Sequence, residues 1–260
     1  MSPAATTRAA GLALLVAALL PGPARAGSKA DAFEGKIKPI SGQLYQKAGR
    51  LEVSPTLDLS FNDAFVKKYF GGVKVGWHFT EFLSVGATFA MGTTAASGSA
   101  VVCPANQGCH AASQAQLWQV PGAIQMMAGA EVAWAPVYGK LNLAAEQVLH
   151  FDLALMAGAD LISHDVVLSR DDAEALAAAG GKPATTNTLG GHVGIGVRFY
   201  FNRFMALRFD VKDYVYAVEV PNWIEGSNNQ PRTDVQNQLF LEIGLSFFFP
   251  TSPRSAGGGP

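Results

Sequence analysis

The chain has 260 residues, of which 49% are hydrophobic and only 15% charged, with a formal net charge of −1 and a mean hydropathy of +0.17. No basic excess points to nucleic acid or an anionic surface as a partner. The apolar surplus needs something other than water to face, yet past the N-terminus no run reaches the roughly 20 apolar residues of a membrane-spanning helix.

Arg8, the almost wholly apolar residues 9–20 and the small-x-small triplet Ala24-Arg25-Ala26 read as a secretory signal over residues 1–26. The mature chain is expected to begin at Gly27, which is no cysteine and so offers no lipid attachment point. Residues 27–49 are polar and mixed, as in a periplasmic N-terminal segment, with a short helix expected around residues 30–37. The Pro/Gly/Ser-rich residues 250–260 have the composition of a disordered tail.

From Leu51 onward the dominant period is two, the mark of a strand with one apolar and one polar or small face. Leu51, Val53, Leu57, Leu59 and Phe61 alternate with Glu52, Ser54, Thr56, Asp58 and Ser60. The pattern returns over residues 72–79, 83–92, 123–134, 150–161, 192–201, 207–212 and 238–249. In the fourth of these eight segments, Ile124, Met126, Val132 and Trp134 are expected on one face. Strands of about ten residues are what a tilted segment needs to cross the hydrocarbon. The pattern predicts an all-β fold, an eight-stranded antiparallel up-and-down transmembrane β-barrel over residues 50–249.

The connections alternate in length. Long ones fall near residues 62–69, 93–119, 162–188 and 221–235, and short ones at residues 80–82 and 202–203, as in outer-membrane barrels with brief periplasmic turns and longer external loops. The link at residues 136–147 is too long for a tight turn and suggests a strand extension. A short helix is expected at residues 171–179, where acids open the segment and Gly180-Gly181 closes it. Aromatics sort into two bands, as membrane interfaces require. Phe79, Phe82, Trp134, Tyr138, Phe199, Phe201, Phe204, Phe247 and Phe249 lie by the short turns. Phe61, Phe70, Trp118, Tyr214, Tyr216 and Trp223 lie toward the long loops.

Cys103 and Cys109 bracket a short Gly-containing stretch, and in an oxidising compartment one disulfide is the expected use. A metal site with His110 is the alternative, although two thiols and one histidine at this spacing match no zinc pattern. Inward parity gathers Asp58, Lys74, Glu131, Asp152, Arg198, Arg208, Asp210, Lys212 and Glu242 in a lumen that eight strands leave just wide enough to fill. A charge network of Arg198, Arg208, Asp210, Glu242 and Asp152 is expected there, with Glu242 the favoured partner of the two arginines.

The last strand, Glu242-Ile243-Gly244-Leu245-Ser246-Phe247-Phe248-Phe249, resembles the bacterial barrel-assembly signal, with Glu242, Gly244, Phe247 and Phe249 as its elements. That resemblance implies recognition by the outer-membrane insertion machinery. Further phrases are Tyr45-Gln-Lys-Ala-Gly-Arg50-Leu-Glu, Ser60-Phe-Asn-Asp-Ala-Phe65, Phe79-Thr-Glu-Phe-Leu-Ser-Val-Gly86, Ala135-Pro-Val-Tyr-Gly-Lys140, His150-Phe-Asp152 and Arg208-Phe-Asp-Val-Lys-Asp213-Tyr. They resemble a family of outer-membrane barrel domains of myxobacteria and their relatives. Some members are similar in kind to barrels of gliding-motility and adhesion machinery. The resemblance spans about residues 44 to 249, implies an outer-membrane location and carries over no catalytic residue.

The expected function is that of a non-catalytic outer-membrane anchor or docking component of a cell-envelope assembly. Its expected partners are outer-membrane lipids, the insertion machinery and unidentified envelope proteins, with no cofactor, metal or nucleic acid. The alternatives are a narrow pore for small solutes, a lipid-modifying enzyme using His78, His150 or His192 with Asp152, and a soluble lipocalin-like barrel. The enzyme reading lacks a Gly-x-Ser-x-Gly element. A soluble barrel would place the apolar face inside.

Overall fold

The computed structural model describes residues 45–61, 63–103, 108–143, 147–221 and 231–251, all within one unit that begins at Gln43. The expected signal peptide, residues 27–44 with their short helix, Trp223 and the tail from residue 252 lie outside the described residues.

Among the described residues ten strands succeed one another: β1 (Leu51–Ser60), β2 (Val66–His78), β3 (Leu83–Ala96), β4 (Val101–Val102), β5 (His110–Ala111), β6 (Ile124–Leu143), β7 (Gln147–Asp165), β8 (Thr185–Tyr200), β9 (Met205–Val220) and β10 (Arg232–Phe249). β4 and β5 pair only with each other in a loop. The other eight each pair antiparallel with their neighbours along the chain, and β1 pairs with β10 to close the ring. Closure matters because hydrocarbon satisfies no backbone N–H or C=O, so a wall in lipid tolerates no free edge.

The period-two pattern is realised inside out. Ser54, Lys212 and Ser246 are wholly buried in the interior, while Leu57 is 64% and Val193 61% exposed on the outside. Such a continuous apolar exterior belongs in lipid and is the reverse of a soluble barrel. Among the described residues no helix is long and apolar enough to cross a membrane.

Contrary to the alternation, Ile124 does not join Met126, Val132 and Trp134 outside; it is fully buried within the barrel. The ladder between β6 and β7 shifts register between Ile124 and Met126, and an irregularity of one residue reverses the side on which a residue points. A second shift falls between Trp134 and Val137. It brackets Pro136, which has no N–H for a ladder and is tolerated at a bulge. β6 then continues to Leu143, so the suggested strand extension is real and the link to β7 comprises only residues 144–146.

The tight turns at residues 79–82 and 201–204 are held locally. The Leu83 amide donates to Thr80 Oγ1 at 3.0 Å, and the Phe204 amide to Asn202 Oδ1 at 3.0 Å. At the opposite end, residues 97–123 and 166–184 carry helices α1 (Gln114–Leu117) and α2 (Arg170–Ala178), which pack against one another. Ser169 caps α2 and Asp171 and Asp172 occupy its first turn, favourable against the helix dipole. Leu168 N–H donates to the Trp118 carbonyl at 3.0 Å and joins the two loops. Cys103 and Cys109 form a disulfide at the tip of the β4–β5 hairpin.

At the turn end Phe79, Phe82, Trp134, Phe201, Phe204 and Phe249 are exposed outward in the expected band, but Tyr138 is not part of it: beyond the register shift at Pro136 it turns inward and packs against Tyr200 and Phe248. At the loop end Phe61, Phe65 and Tyr69 are exposed, but Phe70, Tyr214 and Tyr216 are buried in the lumen and belong to no outer girdle. Nearness to a long loop gives a side chain's depth; its parity gives its face.

Candidate functional site

The lumen is filled in three layers. At the turn end the chain enters through residues 45–50, a tight turn in which Gly49 takes the left-handed φ of +70°. Tyr45 stacks on Tyr200 with ring centres 5.2 Å apart and meets His150 edge-on at 5.0 Å. Tyr200, Ala206 and Phe248 are buried around it, with Tyr138 packed against them. Arg50, 2% exposed, donates to the carbonyls of Gln46 (3.0 Å), Arg203 (2.8 Å), Phe248 (3.1 Å) and Pro250 (2.9 Å). One guanidinium thus ties the entering segment to the β8–β9 turn and to the end of the last strand. Glu81 accepts from the backbone amides of Lys47 (2.7 Å) and Ala48 (3.2 Å).

The middle layer is ionic. Lys47 reaches from the entering segment into the barrel and pairs with Asp152. Burial draws its ammonium below the ordinary lysine value, while Asp152 pulls the other way. Tyr200 also donates to Asp152, at 2.6 Å. Glu52 is a hub. It pairs with Arg198 and Arg208 at 3.2 Å each and with His78 at 2.7 Å, and it accepts from Ser246 at 2.6 Å. Arg208 also holds Asp210, its Nε donating at 2.9 Å. A second hub, Glu131, meets Lys74, Lys212 (2.9 Å) and His192 (3.1 Å). The other ring nitrogen of His192 lies 2.5 Å from Asp160. In that confined space a charge left alone costs several kcal/mol, so dense pairing is what the geometry must supply.

At the loop end the lining is mixed: Lys68 pairs with Asp63 and donates to Gln238, at 2.6 Å each, beside an apolar cluster. Phe70, Ile124, Ile162, Tyr214, Val218 and Phe240 form one buried cluster. Tyr214 and Phe70 both meet Phe240 edge-on, at 5.6 and 5.8 Å.

The expected network residues Arg198, Arg208, Asp210, Asp152 and Glu242 all line this lumen, but their pairing differs in one respect. Glu242 is held by Lys212 at 2.6 Å, while the arginines share Glu52. The ladder alone does not separate the two cations: Glu242 stands opposite Asp210, and Lys212 and Arg208 flank Asp210 symmetrically, opposite Phe240 and Gly244. Arg208 is engaged by Asp210 and, across the closing seam, by Glu52, which leaves Lys212 to hold Glu242. Glu52 carries inward parity in the sequence and is recognisable there as lumenal; its place between the two arginines arises only from closure of β1 against β10. Lys47 and Arg50 precede the first strand and carry no periodic signal at all.

Gly244 faces the lumen, where a Cβ would lie 3.0 Å from Arg208 Cγ, so its lack of a side chain makes room for that arginine. Phe247 and Phe249 point outward, and Phe249 is 47% exposed. His150 and Asp152, two residues apart, make no hydrogen bond or ion pair with each other among the described residues; Asp152 is occupied by Lys47 and Tyr200. Among the described residues no group of three or more His, Cys, Asp or Glu is arranged to hold a metal ion, and Cys103 and Cys109 are spent on each other.

Closed ladder, apolar exterior and ionic interior together define an eight-stranded antiparallel transmembrane barrel with a filled lumen. Among solved structures the chain is similar to the N-terminal β-barrel domain of Pseudomonas aeruginosa OprF, at 10% identity over 78% of this chain and 100% of that one, with a TM-score of 0.45. It is similar to Neisserial surface protein A at 11% identity, over 76% and 94%, with a TM-score of 0.36. Ail, the attachment invasion locus protein of Yersinia pestis, gives 11% identity over 78% and 99%, with a TM-score of 0.31. No family model and no curated protein matches the chain. The barrel class rests on this chain's own ladder and burial pattern.

Proposed function

We propose that this chain is a non-catalytic barrel of the bacterial outer membrane that anchors or docks other envelope components and conducts no ions. The carrying observation is the filled lumen, with stacked aromatics and a clamped entering segment at one end, paired charges in the middle and an apolar cluster at the other. The interlocked loops around α1 and α2 offer a folded platform, as docking requires and a pore mouth does not. Resemblance of residues 44 to 249 to a family of outer-membrane barrel domains, some members of which are similar in kind to barrels of gliding-motility and adhesion machinery, favours the same role. The pattern from Glu242 to Phe249 supports delivery by the insertion machinery.

The test is electrical. Purified protein reconstituted in planar bilayers is expected to give no stable unitary current, also after Lys47→Ala opens the turn end, because the apolar cluster at the loop end remains. A steady, ion-selective current from the wild-type protein overturns the reading and favours a pore.

A further inference from the structure

The barrel wall is split at its loop end. The ladder between β8 and β9 runs for eleven pairs, from Tyr200 opposite Ala206 to Gly190 opposite Tyr216, and stops. About that many residues carry a tilted strand across the hydrocarbon, so the strand ends beyond the last pair fall at the loop-side limit of such a span. Residues 185–189 go on pairing with β7, and residues 217–220 go on pairing with β10. The two hairpins therefore diverge, and among the described residues each turns an unpaired backbone edge toward the other. A cavity of about 330 Å³ lies in the gap, lined by His164, Thr186, Thr188, Val218, Glu219 and Thr233 among others. Beside it Leu189 is 79% exposed, as expected of a strand residue with no neighbour on that side.

We propose that this slot binds an extended segment of a partner protein by strand addition, the segment lying between residues 185–189 and 217–220 with a basic side chain over Glu219. An unpaired edge presents a row of N–H and C=O groups that templates another strand. Here two such edges face each other across a gap that opens from the paired Gly190 and Tyr216, and an inserted strand of about four residues is offered main-chain partners on both sides where the gap reaches twice the usual strand spacing of about 4.8 Å. In this mode the main chain supplies affinity and alternate side chains supply specificity. The inner side of the segment meets the hydroxyl of Thr186 and that of Thr188, which already lies 3.1 Å from His164 Nε2, and this polar lining favours small polar residues. Its outer side meets Glu219, which is exposed and has no ion pair among the described residues, and this favours lysine or arginine. The proposal rests on the docking role only for the identity of the partner; its test does not involve conductance.

The experiment uses the whole barrel in lipid nanodiscs and a fluorescent acetyl-Thr-Lys-Thr-Lys-Thr-amide peptide. Binding is expected, together with slowed amide exchange in residues 186–189 and 217–220. A peptide methylated on its backbone nitrogens is expected to bind at least about tenfold more weakly, since each lost main-chain bond weakens binding several-fold. Glu219→Lys is expected to reverse the preference toward the Thr-Glu-Thr-Glu-Thr peptide while the melting temperature stays unchanged. Equal binding of the methylated peptide, no binding at millimolar concentration, or an unchanged preference in the variant each overturns the proposal. So does strong exchange protection of both edges before any peptide is added, which would mean that this chain or a second copy already fills the slot.

Discussion

Five partners converge on Glu52 among the described residues: two arginines, His78 and the hydroxyls of Ser54 and Ser246. Glu52→Ala leaves Arg198 and Arg208 short of an acid in a buried site, and is expected to lower unfolding free energy by about 3–5 kcal/mol. Urea unfolding in vesicles, monitored by tryptophan fluorescence, measures it. Adding Arg208→Ala to that background is expected to cost clearly less than the sum of the two single changes, because both act on one contact. Arg208→Ala with Glu242→Gln is expected to couple less, since Glu242 is held directly by Lys212. Glycine gives a second contrast at this scale. A Cβ at Gly196 would strike the Asp210 carboxylate that Arg208 holds, whereas one at the outward-facing Gly71 meets nothing within 4 Å. Gly196→Ala is expected to destabilise by about 1–3 kcal/mol, and Gly71→Ala to be neutral by the same measurement. Both glycines sit in period-two strands; parity tells which is lumenal, but only the register shows that Gly196 lies opposite Asp210.

Among the elements, β10 bears the heaviest burden. It closes the ring against β1, places Phe249 in the outer aromatic band, and offers the Phe248 carbonyl to Arg50, which also takes the carbonyl of Pro250 just beyond the strand. Removing residues 247–249 is expected to reduce the yield of heat-modifiable folded barrel severely, because an unclosed seam leaves backbone groups unpaired in lipid. Removing residues 252–260 alone is expected to leave that yield unchanged, and equal yields from the two truncations would contradict the role given to β10. The β4–β5 hairpin is the opposite case. Its disulfide closes a short loop outside the ring, so any stabilisation, at most about 2–3 kcal/mol for so short a loop, is confined to that loop. Replacing Cys103 and Cys109 with serine is expected to leave the melting of the barrel unchanged, as circular dichroism would record.

For the molecule as a whole, the apolar exterior requires that the protein partition with membranes and be released only by detergent. Recovery of folded protein in an aqueous wash would contradict the membrane assignment. Much of this is legible in the linear chain, because a half-buried strand alternates with a period of two whatever surrounds it, and the lumenal parity of Asp58, Lys74, Glu131, Arg198, Arg208 and Glu242 is a direct result. The barrel class, three of the four expected long connections and the α2 helix can be read for the same local reasons, whereas the long loop expected at residues 62–69 shrinks to residues 61–65 because β2 already begins at Val66. Alternation is silent, however, about irregularities in the ladder, and so it misses the inward turn of Ile124 and only suggests the strand through Pro136. It is equally silent about which lumenal charge meets which. That choice depends on shear and on the closing seam, which bring Glu52 of the first strand beside Arg208 of the ninth, and on an entering segment that folds back to deliver Lys47 to Asp152. These are contacts between residues over a hundred positions apart, and only the closed ring brings them within reach.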